Sequence, residues 1–186
     1  MLCEVFTMKL IYESYTVDKV KKLVLNHYIK YFWDKNGGWG VSRDQQKQFA
    51  TEDALKLMDE WDDSDYTEVA NFLNSITFPV TVYRGLKISD PSKITTGKKS
   101  GDHWTVDPNY ILKQTNLLPF THVMIGQFDE KDVNLENTVA TYLNYSLEDR
   151  KRRYNKQREM ELWTKQRKEP KNLQVMTIDE FRDQFG

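Results

Sequence analysis

The sequence has almost no cysteine and no long hydrophobic run. Its one cysteine, Cys3, cannot form an internal disulfide, and no Cys/His cluster has the spacing of a zinc site. We therefore expect a reducing compartment, by default the cytoplasm, and no metal. No segment reaches the roughly 18 to 20 apolar residues that span a bilayer, and Glu4 and Lys9 interrupt the first apolar residues. We expect a soluble protein without a signal peptide or a membrane partner.

The chain also lacks an excess of charge of either sign. Among 186 residues, 27 Lys and Arg nearly balance 28 Asp and Glu, which gives a net charge of -1. No overall field attracts nucleic acid, so such a partner would need a local basic patch. Hydrophobic residues (39%) and aromatic residues (13%) suffice for a folded core, and the length fits one compact unit.

The first part of the chain carries helical patterns. Apolar residues recur at helical spacing over 17–34. A second helix is expected after Thr51, where acidic residues form the first turn, and a third from about Tyr66. We predict a mostly helical region, 1–76, packed on a core formed by 77–186.

From Pro79 onward, β-branched and aromatic segments alternate with turn residues, which predicts an α+β fold. Short strands are expected near 80–83, 103–106, 121–128, 159–164 and 173–176. Three helix starts accompany them. They are Asp107 with Pro108 at the first helical position, Ser146 opening a basic helix through about 154, and Thr177 capping a terminal helix.

Three short motifs lie along these strands. In Tyr83-Arg84-Gly85, the arginine offers a planar fork of donors suited to a diphosphate, and the glycine beside it allows close backbone approach. His103-Trp104-Thr105 combines a hydrogen-bonding ring, a flat stacking surface and a hydroxyl. Glu159 and Glu161 share one strand face, about 6.5 to 7 Å apart. One of two such carboxylates can stabilise an oxocarbenium-like centre electrostatically, while the other orients or deprotonates an incoming nucleophile.

Each motif also has a purely structural interpretation. The carboxylates can line a solvated strand face, Arg84 can form a surface salt bridge, and Trp104 can belong to the core. The order of the motifs along the chain is what favours a shared site.

In that order the motifs resemble the R-S-E type of the ADP-ribosyltransferase superfamily, especially compact bacterial and bacteriophage members with R-G, then S-W-T before a D-P helix, then E-x-E. The resemblance covers about Phe78 to Lys171. It implies a split core of two facing, mainly antiparallel sheets, with NAD held as the substrate between them. It further implies transfer of ADP-ribose to a protein, with arginine as the expected acceptor. For a phage-encoded enzyme, that protein would belong to the host machinery.

The resemblance also implies which residues bind NAD. Arg84 would contact phosphate or ribose oxygens, with Gly85 beside it. Thr105 would support the strand and the carboxylate. His103 stands where the family has serine and could hydrogen-bond the NAD ribose, and Trp104, between His103 and Thr105, would offer the cofactor a flat stacking surface.

Catalysis would then depend on Arg84, Glu161 and Glu159. Glu161 would act on the nicotinamide ribose, and Glu159 would position the acceptor. A second register is open, since Gln157-Arg158-Glu159 also fits a Q-x-E pattern that makes Glu159 catalytic. The strand residues that follow Glu161 favour the first register.

A basic stretch over 150–158 carries six positive charges directly before this strand. In the family, the turn at this place recognises the acceptor. Arg153, Tyr154 and Glu159 are therefore candidate contacts to an acidic protein face or to a nucleic-acid-associated host complex, with Tyr154 available to stack. The alternative is a solvated basic helix face.

Two other functions are compatible with the sequence. An NAD glycohydrolase would use water as the acceptor. A non-catalytic inhibitor would bind a host protein or nucleic-acid complex through the basic stretch and keep only the scaffold.

Overall fold

The computed structural model describes residues 14–36, 41–90, 103–115, 117–152, 160–165 and 168–186, without the side chains of 36 and 145–152. The described residues form an α+β fold of six helices and one antiparallel sheet of five strands. The α+β prediction is confirmed. The helices are α1 Val17–Asn36, α2 Arg43–Met58, α3 Asp63–Ser75, α4 Pro108–Gln114, α5 Leu135–Arg152 and α6 Ile178–Phe185. The strands are β1 Val80–Leu86, β2 His103–Thr105, β3 His122–Phe128, β4 Glu161–Trp163 and β5 Lys171–Thr177.

The predicted start of the second helix was wrong. α2 begins at Arg43, because Ser42 and Gln45 form a reciprocal capping box there. Thr51 lies inside the helix, where its hydroxyl donates to the backbone oxygen of Lys47. α3 likewise begins at Asp63, slightly earlier than predicted, through a capping box of its own.

The predicted helix start at Ser146 was also wrong. α5 runs without a break from Leu135 to Arg152, so Ser146 lies in its interior. The helix begins after Asn134, whose side-chain oxygen accepts from the Asn137 amide at 3.2 Å. The other two helix starts were right: Asp107 caps α4 with Pro108 in its first turn, and Thr177 caps α6.

The strand order in the sheet is β4-β2-β1-β3-β5, and every neighbouring pair is antiparallel. The strands of the described residues therefore form one sheet, rather than the two facing sheets that the resemblance implies. The middle strand is β1, the strand that carries Arg84, while β4 with Glu161 lies at one edge.

Helices cover both faces of the sheet. One face packs with α1, α3 and α5 in a core that includes Val82, Trp104 and Leu162. The other face packs with α4 and α6 through Tyr83, Val123 and Ile125, joined by residues such as Ile111 and Phe181. Within the ranges that the structure describes, no helix combines the length and the apolar character that a bilayer crossing requires.

Candidate active site

A cavity of about 250 Å³ lies between three strands, β1, β2 and β4, and the α4 helix with the segment that follows it. Five of the predicted site residues line this cavity: Arg84, Gly85, His103, Thr105 and Glu161. The other lining residues are Tyr83, Tyr110, Ile111, Gln114, Leu118 and Phe120. Three motifs that are distant in sequence thus meet in one place.

The strand register explains why the motifs meet. Tyr83 of β1 pairs with Thr105 of β2, and Thr105 pairs with Glu161 of β4. Residues paired directly across a sheet project to the same face. Tyr83 packs against residues of α4 and α6. Since Tyr83, Thr105 and Glu161 are paired in sequence across the three strands, Glu161 projects to that same face of the sheet.

The short strand β4 is held by the first turn of α5 as well as by β2. The Trp163 amide donates to the Thr138 hydroxyl at 3.0 Å, and the Trp163 carbonyl accepts from the Asn134 amide at 2.7 Å. Thr138 is only 1% exposed, so water hardly competes for these bonds. The position of Glu161 therefore depends on the start of α5.

The Glu161 side chain is mostly buried, with 16% of its surface exposed. Burial raises the pKa of its carboxyl above the usual value, and the positive charge of Arg84 acts in the opposite direction. A carboxyl with a raised pKa takes up and releases protons closer to neutral pH, as acid–base residues of enzymes do. Among the described residues that line the cavity, Glu161 is the one carboxylate.

Hydrogen bonds hold both Arg84 and Thr105 in place. Nη1 of Arg84 donates to the backbone oxygen of His103 at 3.0 Å. A guanidinium carries five N–H donors, so it can bind an anion and protein groups at the same time. The Thr105 hydroxyl accepts from the Asp107 amide at 3.1 Å, which fixes the turn into α4. Thr105 is paired with Glu161 in the register of β2 and β4.

His103 contacts two residues of β4. Its Nδ1 lies 3.5 Å from Oε1 of Glu161, within ion-pair range but longer than a good hydrogen bond. Its ring lies against the Trp163 indole, with 3.5 Å between the ring centroids. His103 therefore lies next to the mostly buried Glu161 carboxylate.

Trp104 does not reach the cavity. Its side chain is 1% exposed and packs edge to face on Phe128, in the core beneath α1, α3 and α5. Side chains alternate along a strand, so Trp104 points away from the face that Thr105 lines. The aromatic rings at the cavity are instead Tyr83, Tyr110 and Phe120.

Phe120 is a lining residue that the sequence did not reveal. A Cβ placed on Gly85 would lie 2.5 Å from its ring, so the ring packs directly on the glycine. The next residue, Thr121, fixes this segment to the end of β1. Its amide donates to the Leu86 carbonyl at 2.8 Å and its hydroxyl to the Ile88 carbonyl at 2.7 Å. The only sequence signal was Gly85 itself, which indicated a close approach without naming the partner.

Tyr110 and Gln114 were also missed, although a signal for them existed. Both lie on α4, whose start after Asp107 was predicted correctly. Residues four apart share one helix face, so one lining residue would have indicated the other.

Several predicted site residues lie outside the described part of the chain. They are Glu159, Gln157 and the two candidate acceptor contacts, Arg153 and Tyr154. The second carboxylate and the basic stretch beyond Arg152 therefore stay predictions from the sequence.

A second cavity, of about 590 Å³, lies between α1 and the start of α5. Several of its charged residues have partners: Lys30 lies 2.6 Å from Glu136, and the Tyr15 hydroxyl donates to Glu130 at 2.6 Å. None of the predicted site residues lines it. In the described ranges, no group of three or more His, Cys, Asp or Glu side chains is arranged to hold a metal ion.

Comparisons with known proteins do not add a family. No protein-family model matches the chain, and searches of curated proteins and of solved structures gave no significant match. The chemistry of the cavity is thus the basis for the function proposed below.

Proposed function

We propose that the protein is an NAD-dependent mono-ADP-ribosyltransferase whose core is of the R-S-E type. One observation carries the proposal: residues of all three motifs, Arg84 with Gly85, His103 with Thr105, and Glu161, line one cavity. Motifs that arise independently by chance have no reason to converge. A cation, a mostly buried carboxylate and aromatic rings together suit a ligand that combines phosphates, ribose hydroxyls and flat bases.

The proposed reaction needs few catalytic groups. The bond between C1′ of the ribose and nicotinamide breaks, its electron pair leaves with nicotinamide, and the ribose becomes oxocarbenium-like. The Glu161 carboxylate accepts a hydrogen bond from the ribose 2′-hydroxyl and favours the positive charge electrostatically. Arg84 holds phosphate or ribose oxygens through its guanidinium. An acceptor atom then bonds to C1′ and gives up a proton.

The position of Glu161 in the cavity favours the E-x-E register, in which Glu161 is catalytic and Glu159 serves the acceptor. An arginine acceptor is protonated at neutral pH and is a poor nucleophile in that form. A carboxylate that orients the guanidinium and takes its proton would overcome this difficulty. We therefore keep protein arginine as the proposed acceptor.

The test is transfer of label from adenylate-labelled NAD to proteins of a cell lysate. Glu161→Gln should lower transfer by at least about a hundredfold, because an amide cannot favour the cation as a carboxylate does. The matched control is Glu169→Gln, which removes the same charge from an exposed position outside the cavity. It should keep wild-type activity.

The outcomes separate the candidate functions. Undiminished transfer by Glu161→Gln would refute the assignment, and loss only in Glu159→Gln would support the Q-x-E register. Release of nicotinamide without a labelled macromolecule would identify water as the acceptor. Absence of NAD binding would leave the inhibitor function.

A further inference from the structure

His103 has an environment that a serine at its position could not reproduce. Its ring packs on Trp163, its backbone oxygen accepts from Arg84, and its Nδ1 faces Oε1 of Glu161 at 3.5 Å. His103 of β2 pairs with Trp163 of β4, so the strand next to His103 carries both Trp163 and Glu161. The imidazole is therefore restrained on two sides while one nitrogen points at the carboxylate.

We propose that His103 is a positioning residue, which orients the Glu161 carboxylate and, when protonated, favours its ionised form. The proposal rests on the proposed function for its kinetic consequences, but the pairing itself is a property of the folded chain.

The need for such a partner follows from the burial of Glu161. A carboxylate that is largely removed from water must be compensated by donors or by opposite charge. Arg84 faces it from β1 and His103 from β2, while Tyr110 and Gln114 face the cavity from α4 without charge. Arg84 and His103 are thus the basic side chains nearest to Glu161 among the lining residues that the structure describes.

The distance of 3.5 Å suits a contact that closes when substrate binds. Catalytic hydrogen bonds are often long in the absence of substrate and shorten in the reacting complex. A serine could supply only a neutral hydrogen bond. An imidazole adds a positive charge under mildly acidic conditions, where a carboxyl with a raised pKa would otherwise begin to take up a proton.

The kinetic test compares His103→Ala and His103→Asn with the wild type. The alanine variant should lower kcat about tenfold, the size of one hydrogen bond to a charged group, with KM for NAD changed less than about twofold. Asparagine can donate from nearly the position of Nδ1, so it should recover most of kcat at mildly alkaline pH. The matched control is His122→Asn, in β3 opposite Leu86, because His122 is not among the residues that line the cavity.

The pH profile separates orientation from charge. Both His103 variants lack the imidazolium, so the ionised form of Glu161 is less favoured and activity should be lost at a higher pH than in the wild type. If His103 only packed on Trp163, its substitution would not change the pH at which activity is lost on the acidic side of the profile. Equal kcat and an unchanged pH for that loss in His103→Ala would overturn the proposal.

An NMR titration tests the pairing without any activity. The chain has three histidines, His27, His103 and His122, so their imidazole signals are readily distinguished by substitution. In Glu161→Gln, the titration midpoint of His103 should fall, because its anionic neighbour is gone, while the other two stay unchanged. An unchanged His103 midpoint would refute the pairing. If the wild type transfers no ADP-ribose, the proposed function fails and this titration still decides the inference.

Discussion

At the scale of single residues, the wall of the cavity at Gly85 has no room for a side chain. The Phe120 ring lies where a side chain at position 85 would have to go. Arg84, His103 and Glu161 could be singled out from the sequence because their side chains carry recognisable chemistry, and the three line one cavity. It could not predict Phe120, since an aromatic residue near a strand has no local mark that tells which glycine it will cover.

Gly85→Ala should destabilise the protein by about 1 to 3 kcal/mol, because a Cβ at 2.5 Å forces the Phe120 ring to move. The measurement is the free energy of unfolding in urea. The same substitution in a Phe120→Ala background should cost much less, since the clash is then absent. Equal costs in both backgrounds would show that the ring is not the obstacle.

The raised pKa of Glu161 predicts a gain in stability when its charge is removed. A carboxyl whose pKa is raised by folding stabilises the protein only while protonated, and this contribution is lost as pH rises through the folded-state pKa. Glu161→Gln should therefore unfold at a higher temperature than the wild type at neutral pH. The difference should shrink as pH falls through that raised pKa. A variant that is less stable at neutral pH would contradict this reasoning.

At the scale of secondary-structure elements, local signals decided which predictions succeeded. The caps at Asp107 and Thr177 are complete within four residues, and both helices begin where predicted. The Ser146 signal was equally complete but lies within α5, because burial of the preceding turns, through Val139 and Leu143, keeps the helix continuous. Tertiary packing overrode the local cap, and a local sequence pattern does not specify that packing.

The joint between α5 and β4 can be tested at Thr138. Thr138→Val keeps the shape but removes the hydroxyl that accepts from the Trp163 amide and donates to the Asn134 carbonyl. Leaving the buried amide unpaired should cost about 1 to 3 kcal/mol in urea unfolding. Transfer activity should fall as well, because β4 carries Glu161.

Thr138→Ser is the matched control for this joint. It keeps the hydroxyl and loses only a methyl group, so it should cost about 1 kcal/mol and retain activity. If serine were as damaging as valine, the methyl packing rather than the hydrogen bond would hold β4.

At the scale of the whole molecule, the sheet separates residues that the sequence places side by side. Trp104 faces the core under α1, α3 and α5, while Thr105 lines the cavity on the other face. The sequence predicted the individual strands and the α+β class. The assembly of five strands into one sheet depends on pairing between distant segments, which local patterns do not specify.

Trp104→Phe should therefore act on stability and leave ligand binding alone. We expect a loss of about 1 to 3 kcal/mol from the smaller ring in the core, with NAD affinity by calorimetry changed less than about twofold. Tyr110→Ala should behave in the opposite way, because Tyr110 is half-buried and lines the cavity. A large loss of NAD affinity in Trp104→Phe would restore the tryptophan as a cofactor contact.

The hydrogen bonds between the start of α5 and Trp163 also couple the local opening of the helix start to that of β4. The Trp163 amide can exchange with solvent only when its bond to Thr138 opens, and the Asn134 amide only when its bond to the Trp163 carbonyl opens. These protons should exchange as one cooperative unit, at a rate distinct from that of the central strand β1. The sheet edge that bears Glu161 would then open locally in the same event as the start of α5, which packs on the opposite face of the sheet.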